Sequence, residues 1–293
     1  LFFLQLYQGG IICFDRDKET YLPLHFDKPF NIRSIQDFCW NGETLFLATT
    51  QGLFSSIPQR SKEDKKDVIS CTVKSEPLVK GKITNLCTDN KNNLYLVIDE
   101  NKVVRYDLVT AKTSVLQQGS AISRLFLQNS YLWICKSWSD LICYDLKTGK
   151  EQMVAIGTID KIDYSGSYIT DLTCRDKKIY YLTTLEGLFK LEFASENLCK
   201  SSYSLEAVTQ NEGRFSLQMD TRMMSVCWDH THENLWAGGS GGGIVKFDFS
   251  NNMYNRLKQD FKSKVHGMVE DSKGYIWMVM NDGKIMKSNT PEL

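Results

Sequence analysis

The sequence predicts an all-β fold, a seven-bladed β-propeller of four-stranded antiparallel blades over residues 1–293, and three observations carry this reading. An apolar-aromatic-apolar triplet recurs seven times: Phe2-Phe3-Leu4, Leu45-Phe46-Leu47, Leu94-Tyr95-Leu96, Leu132-Trp133-Ile134, Ile179-Tyr180-Tyr181, Leu235-Trp236-Ala237 and Ile276-Trp277-Met278. A second apolar pair follows each: Ile11-Ile12, Leu53-Phe54, Val103-Val104, Leu141-Ile142, Leu188-Phe189, Ile244-Val245 and Ile285-Met286. The step from the central aromatic to that pair is eight positions in six repeats and seven in the other. Finally, no segment sustains a helical period, which removes the helical repeat architectures.

The remaining strands of each unit follow in order. Ahead of every triplet but the first lies a segment with apolar residues three apart: Ile35/Phe38, Ile83/Leu86, Ile122/Leu125, Ile169/Leu172, Met223/Val226 and Val265/Met268. Turn formers separate it from the triplet, among them Asn41-Gly42, Asn90 to Asn93, Asp229 to Asn234 and Asp271 to Gly274, residues that accept positive φ in hairpins. An aromatic-acid step closes the third strand at Phe14-Asp15, Tyr106-Asp107, Tyr144-Asp145 and Phe247-Asp248. A less regular fourth strand ends the unit, as in Thr113 to Leu116. One four-stranded sheet cannot bury both its faces, whereas sheets stacked radially can. On this reading the central aromatics Phe46, Tyr95, Trp133, Tyr180, Trp236 and Trp277 lie buried between blades. The first blade lacks its inner strand and the last its outer strand, so the chain reads as part of a longer multi-domain protein.

Composition narrows the function. Lys+Arg and Asp+Glu both number 35, so the net charge is zero and the basic footprint of a nucleic-acid binder is missing. No apolar run approaches the ~18 residues of a membrane span, so no membrane insertion by this region is expected. Nine cysteines, an odd number without a Cys-x-x-Cys pair, argue against a disulfide framework or zinc site and by themselves point to a reducing, cytoplasmic compartment. Cys39, Cys87 and Cys227 share one strand position, which reads as packing rather than reactivity. His230 and His232 form a His-x-His pair in a turn with no third ligand close in sequence, so no metal centre and no cofactor are expected.

The unit Asp-x-x-Gly-x-Leu-Trp-apolar-small, closed by Gly-apolar-x-x-aromatic-Asp, resembles the two-component regulator propeller repeat. EDSKGYIWMVMNDGKIMKSN at 270–289 and HENLWAGGSGGGIVKFD at 232–248 carry the likeness. The small residue after the triplet is Gly238 in one repeat but Val97, Cys135 and Val279 in others, so several units depart from the pattern. The resemblance implies the periplasmic sensor region of a Bacteroides-type hybrid two-component system, whose full chain adds an immunoglobulin-like domain, a membrane helix, a histidine kinase and a DNA-binding regulator. None of those parts is in this sequence. It further implies an oligosaccharide as the ligand and a homodimer of the full-length protein.

This region is therefore expected to bind rather than catalyse. Asp271 to Trp277 is similar to the sialidase Asp-box, itself a structural turn, and the Gly238–Gly243 stretch lacks the lysine and helix of a phosphate loop. Two connections outgrow the scaffold, Gly157 to Tyr168 and Thr209 to Arg222, and long loops often carry function. With the turns beside them they offer Lys136, Trp138, Tyr164, Tyr168, Glu186, Arg214, Phe215 and Ser240 as ligand-binding candidates, aromatic faces and polar groups suited to a sugar. The insertion Pro58 to Asp67, with its alternating charge, reads as a solvated loop. Two other readings are a protein-interaction or dimerisation scaffold, with an adjacent sensor domain as partner, and a polysaccharide lyase or hydrolase.

Overall fold

The computed structural model describes the chain except for residues 1, 6–10, 28–33, 64–65, 120, 137–139, 160–161, 165–166, 209–221, 241–242, 249–252, 257–263, 272 and 289–293. The described residues contain no α-helix, only a short 3-10 turn at Leu198–Lys200, and thirty strands. They divide into two compact units, Leu1–Leu127 and Gln128–Leu293.

In the first unit, β1 (Phe2–Gln5), β2 (Ile11–Asp15) and β3 (Thr20–Leu22) form a three-stranded meander. A six-stranded sheet follows, built from β4 (Leu24–Phe26), β5 (Ile35–Asn41), β6 (Thr44–Thr49), β7 (Gly52–Glu63), β8 (Lys66–Val73) and β9 (Val79–Lys80). Next comes the four-stranded meander of β10 (Ile83–Thr88), β11 (Asn93–Ile98), β12 (Lys102–Asp107) and β13 (Thr113–Gln118). The unit closes on β14 (Ile122–Gln128), and the second unit opens with the antiparallel strands β15 (Tyr131–Lys136), β16 (Asp140–Asp145) and β17 (Glu151–Ala155).

In the second unit a two-stranded hairpin, β18 (Thr158–Ile159) and β19 (Ile162–Asp163), precedes two four-stranded meanders. These are β20 (Ile169–Cys174), β21 (Ile179–Thr184), β22 (Gly187–Phe193) and β23 (Tyr203–Ala207), then β24 (Met223–Asp229), β25 (Asn234–Gly239), β26 (Ile244–Asp248) and β27 (Met253–Arg256). A three-stranded meander of β28 (Val265–Glu270), β29 (Ile276–Met280) and β30 (Ile285–Lys287) ends the described residues.

The spacing of three between apolar residues of the first strands has a physical cause. The ladder shifts register between Ile35 and Asp37, Ile83 and Asn85, Ile169 and Asp171, Met223 and Ser225, and Val265 and Gly267. Each shift is a β-bulge, one extra residue in the strand, so apolar side chains that plain alternation would set two apart stand three apart. At three of the five bulges the residue that follows clasps the neighbouring sheet. Asp37 Oδ2 accepts hydrogen bonds from the Leu86 N–H (3.0 Å) and Asn85 Nδ2 (2.6 Å). Asn85 Oδ1 in turn accepts from the Leu125 N–H at 2.7 Å. In the second unit Asp171 Oδ2 accepts from the Val226 N–H at 2.9 Å. At these three positions, Asp37, Asn85 and Asp171, a polar side chain thus satisfies a backbone donor of the next first strand.

Apolar faces pack sheet against sheet within each unit. Phe46, Ala48 and Leu53 meet Ile83, Leu86, Leu94 and Leu96. Tyr181 and Leu188 meet Met223, Val226, Trp228 and Leu235, while Trp236 and Ile244 meet Val265, Ile276 and Met278. Trp133 lies 4.7 Å from Tyr180, ring centroid to centroid. All six central aromatics expected in the core are buried, none more than 4% exposed. Gly238 permits one close approach, since a Cβ there would sit 2.8 Å from Val265 Cγ1.

The propeller-type all-β class holds, but seven equivalent blades do not. Six of the sheets are antiparallel meanders of three or four strands, and the stretch 24–80 departs from them. There β7 and β8 run on as a long hairpin from Ser56↔Val73 to Glu63↔Lys66, so most of Pro58 to Asp67 is strand rather than loop. The hairpin's outer edge is covered by β4, which pairs with β8 in parallel. Arg60 ties the hairpin to the first sheet, its guanidinium reaching Asp15 at 2.6 Å and Asp67 at 2.7 Å.

Candidate functional site

The residues expected to bind a ligand fall into three groups. Trp138, Arg214 and Phe215 lie outside the described residues. Tyr164 is part of the core: its ring is buried and meets Phe189 edge-on at 4.9 Å, which corrects its expected place as a sugar platform. It anchors the loop from Gly157 to Tyr168, because its N–H donates to the Gly157 carbonyl and its carbonyl accepts from the Ser167 N–H.

The third group remains accessible in part. The Tyr168 carbonyl accepts from the Leu185 N–H at 3.2 Å, and Ser167 Oγ donates to Glu186 Oε2 at 2.7 Å. Tyr168 and Glu186 are thereby joined at one end of the β20–β23 sheet, half-buried and exposed respectively. Lys136 ends β15, half-buried. Ser240 is buried, and its N–H donates to the Arg222 carbonyl at 2.8 Å.

Four of the hairpin turns between first and second strands use one device. An aspartate leaves the first strand and accepts backbone N–H groups of the turn: Asp89 from Lys91 and Asn93, Asp176 from Lys178 and Ile179, Asp271 from Lys273 and Tyr275. These are Asx turns, in which a short side chain substitutes for backbone pairing. Asp229 does the same for Thr231 and His232, both at 2.9 Å.

The Asp229 turn carries more. His232 Nδ1 lies 2.8 Å from Asp229 Oδ2, and Glu270, at the end of β28, reaches into the turn. Glu270 Oε2 accepts from the His230 N–H at 3.2 Å, and Oε1 from Thr231 Oγ1 at 2.8 Å. The ligating atoms of Asp229, His232 and Glu270 all lie within 4.8 Å of one another. Burial, and then the nearby Asp229 carboxylate, hold the Glu270 carboxyl above its ordinary range despite the Thr231 hydrogen bond. Sequence reading had left His230-x-His232 without a third ligand. The missing partner was visible only as an acid closing the next first strand, 38 residues beyond His232.

The nine cysteines are free thiols. Burial pushes Cys13 up to about 11 and Cys227 up to about 12, so neither supplies a thiolate at neutral pH. Cys39 and Cys227 pack at the margins of two cores.

No family model and no curated protein matches the sequence. Solved structures do match. The extracellular domain assigned to one component system BT4673 of B. thetaiotaomicron superposes with a TM-score of 0.60 at 16% identity, over 87% of this chain and 31% of that one. The extracellular domain assigned to hybrid two component system BT3049 of the same organism gives 0.53 at 13% identity, over 93% of this chain and 40% of that one. The chain thus spans well under half the length of either match. No helix among the described residues is long and apolar enough to cross a membrane. What the chain shares with these two extracellular domains is its fold, an all-β arrangement of propeller-type blades.

Proposed function

We propose that this chain is a ligand-sensing propeller domain of an extracytoplasmic signalling receptor, that its ligand is an oligosaccharide, and that it binds without catalysis. The observation that carries the reading is the fold held in common with the extracellular domains of a one component and a hybrid two component system. The motif resemblance of residues 232–248 and 270–289 points the same way. Residues 1–293 then act as one domain of a longer periplasmic sensor, with the signal passed on by parts beyond this chain. A ligand moves such a receptor between two arrangements only by as much as it prefers one of them.

The ligand end is assigned to the long connections of the second unit. Tyr168 and Glu186, joined through Ser167 and Leu185, supply a ring and a carboxylate at one end of their sheet. Lys136, Ser240 and the residues Trp138, Arg214 and Phe215 complete the proposed set. Isothermal calorimetry of the purified chain against a panel of oligosaccharides tests the reading. One class of glycan is expected to bind, with affinity lost in Trp138→Ala and reduced in Glu186→Gln. Binding by no member of the panel, or affinity unchanged in both variants, would overturn the sugar ligand or the site respectively.

A further inference from the structure

We propose that Asp229, His232 and Glu270, with Asn234, form a binding site for a divalent transition cation, zinc above all, which clamps the β24–β25 hairpin to β28. The inference is independent of the sensing role.

Strand parity places three ligand groups on one side. Cys227 and Trp236 face the β28–β30 sheet, where they pack with Val265, Met268 and Met278. Side chains two apart in a strand share a face, so Asp229 and Asn234 face the same way as Cys227 and Trp236. Met268 looks back at β24, and Glu270, two residues on, looks back with it. Asp229 and Asn234 are direct cross-strand partners, which sets their side chains next to each other. The histidine comes from the turn between them.

The pocket so formed has more negative charge and more acceptors than the protein itself satisfies. Asp229 is fully buried, yet a second carboxylate is brought to its side. Asn234 is 4% exposed, and its Oδ1 is a buried acceptor without a hydrogen-bond partner. Buried acceptors are rarely left so, and the pairing with Asp229 puts this one on the face that carries the two carboxylates, where a cation would satisfy all three. The present partners are compatible with one. Asp229 Oδ1 and both Glu270 oxygens keep the turn through N–H and O–H donors, while Asp229 Oδ2 and His232 Nδ1 share the 2.8 Å contact that a metal would enter. A metal in that contact would take the Nδ1 lone pair, which requires the His232 tautomer with its hydrogen on Nε2.

The donor set names the class of ion. Calcium and magnesium take oxygen ligands alone, whereas an imidazole with carboxylates suits zinc or manganese. Zinc takes four ligands at about 2.0–2.2 Å from nitrogen and oxygen, and three side chains with the Asn234 amide oxygen meet that number. All ligands come from the hairpin and the neighbouring strand, so the ion would cross-link two sheets of the second unit.

The test is metal counting on the whole chain. Wild type, His232→Ala and Glu270→Gln, stripped with chelator and dialysed against zinc chloride, are analysed by elemental mass spectrometry. Glu270→Gln keeps an amide oxygen for Thr231 Oγ1, and so keeps the fold while removing the charge. Wild type is expected to retain one zinc more per chain than either variant. Saturating zinc is expected to raise the wild-type melting temperature by about 5 °C and that of neither variant. Equal zinc in wild type and Glu270→Gln, or no zinc retained by wild type, would overturn the site, the first by assigning the metal to other donors and the second by leaving the Asp229–His232 contact as it stands.

Discussion

The β10–β13 and β24–β27 sheets share strand order and a turn that opens on aspartate, yet they spend that aspartate differently. Asp89 is satisfied within its own sheet, by the N–H groups of Lys91 and Asn93 and by Asn93 Nδ2 at 2.7 Å. Burial acts against the Asp89 carboxylate, but hydrogen bonds from Asn93 and Lys91 outweigh it and hold its pKa below the usual range. Asp229 instead shares a contact with His232, is met by Glu270 from the next sheet, and leaves Asn234 Oδ1 unpartnered. Its turn has one residue more between the aspartate and the asparagine. One turn closes on itself, and the other opens toward its neighbour with donors to spare. A repeat therefore fixes a frame, and a single altered copy of a structural turn is where chemistry can enter.

The shared frame predicts the largest effect. Tyr95→Ala and Trp236→Ala remove the matching central aromatics of the two sheets, and each is expected to lower the unfolding free energy by about 3–5 kcal/mol in denaturant titrations. A loss under ~1 kcal/mol for either would mean that the two sheets do not share one core position.

A smaller effect separates them. Val97 fills its place in β11, whereas the matching Gly238 in β25 lies under Val265. Gly238→Ala would set its Cβ 2.8 Å from Val265 Cγ1 and 3.0 Å from Ser225 Oγ. Overpacking of this kind is expected to destabilise by about 1–3 kcal/mol, read as a lower denaturation midpoint. A variant as stable as wild type would show that β25 and β28 are not in such close contact.

These two sheets also show what was legible in the sequence. The second strands and their aromatics were, because a spacing of eight survives in six copies and slips by only one in the other. So were the first strands, although the reason for their spacing of three, the bulge, needed the ladder. The pairing of β4 with β8 was not legible. Leu24, His25 and Phe26 cover the edge of a hairpin more than 40 residues away, and edge cover leaves no period in the chain. Tyr164 was misplaced because an aromatic in a long loop reads the same whether it faces a ligand or, as here, props the loop on Phe189. Of the Asp229, His232 and Glu270 cluster only His232 stood out in the sequence: Asp229 read as a turn former, His230 lies outside the cluster, and Glu270 comes from the next copy of the repeat.

The smallest predicted effect lies in the clasps that hold the two first strands. Asp37 binds the Leu86 N–H of β10 as Asp171 binds the Val226 N–H of β24. Burial pushes the Asp37 carboxyl up to about 6, against the Leu86 and Phe38 N–H groups and the charge of Arg124. An acid raised in the folded state binds its proton more tightly there than when unfolded. Its contribution is then full below the unfolded value near 3.8 and is lost as pH rises through about 6. The stability difference between wild type and Asp37→Asn is expected to shift in favour of the variant over that window. A difference constant with pH would show that Asp37 keeps its ordinary affinity for the proton.

The contrast between the closed and the open turn is tested most directly by crystallography of the zinc-soaked chain at the zinc absorption edge. The account predicts one anomalous peak enclosed by Asp229 Oδ2, His232 Nδ1 and a Glu270 oxygen, and none at the Asp89 turn. A map with no peak at Asp229, or with equal peaks at both turns, would contradict it.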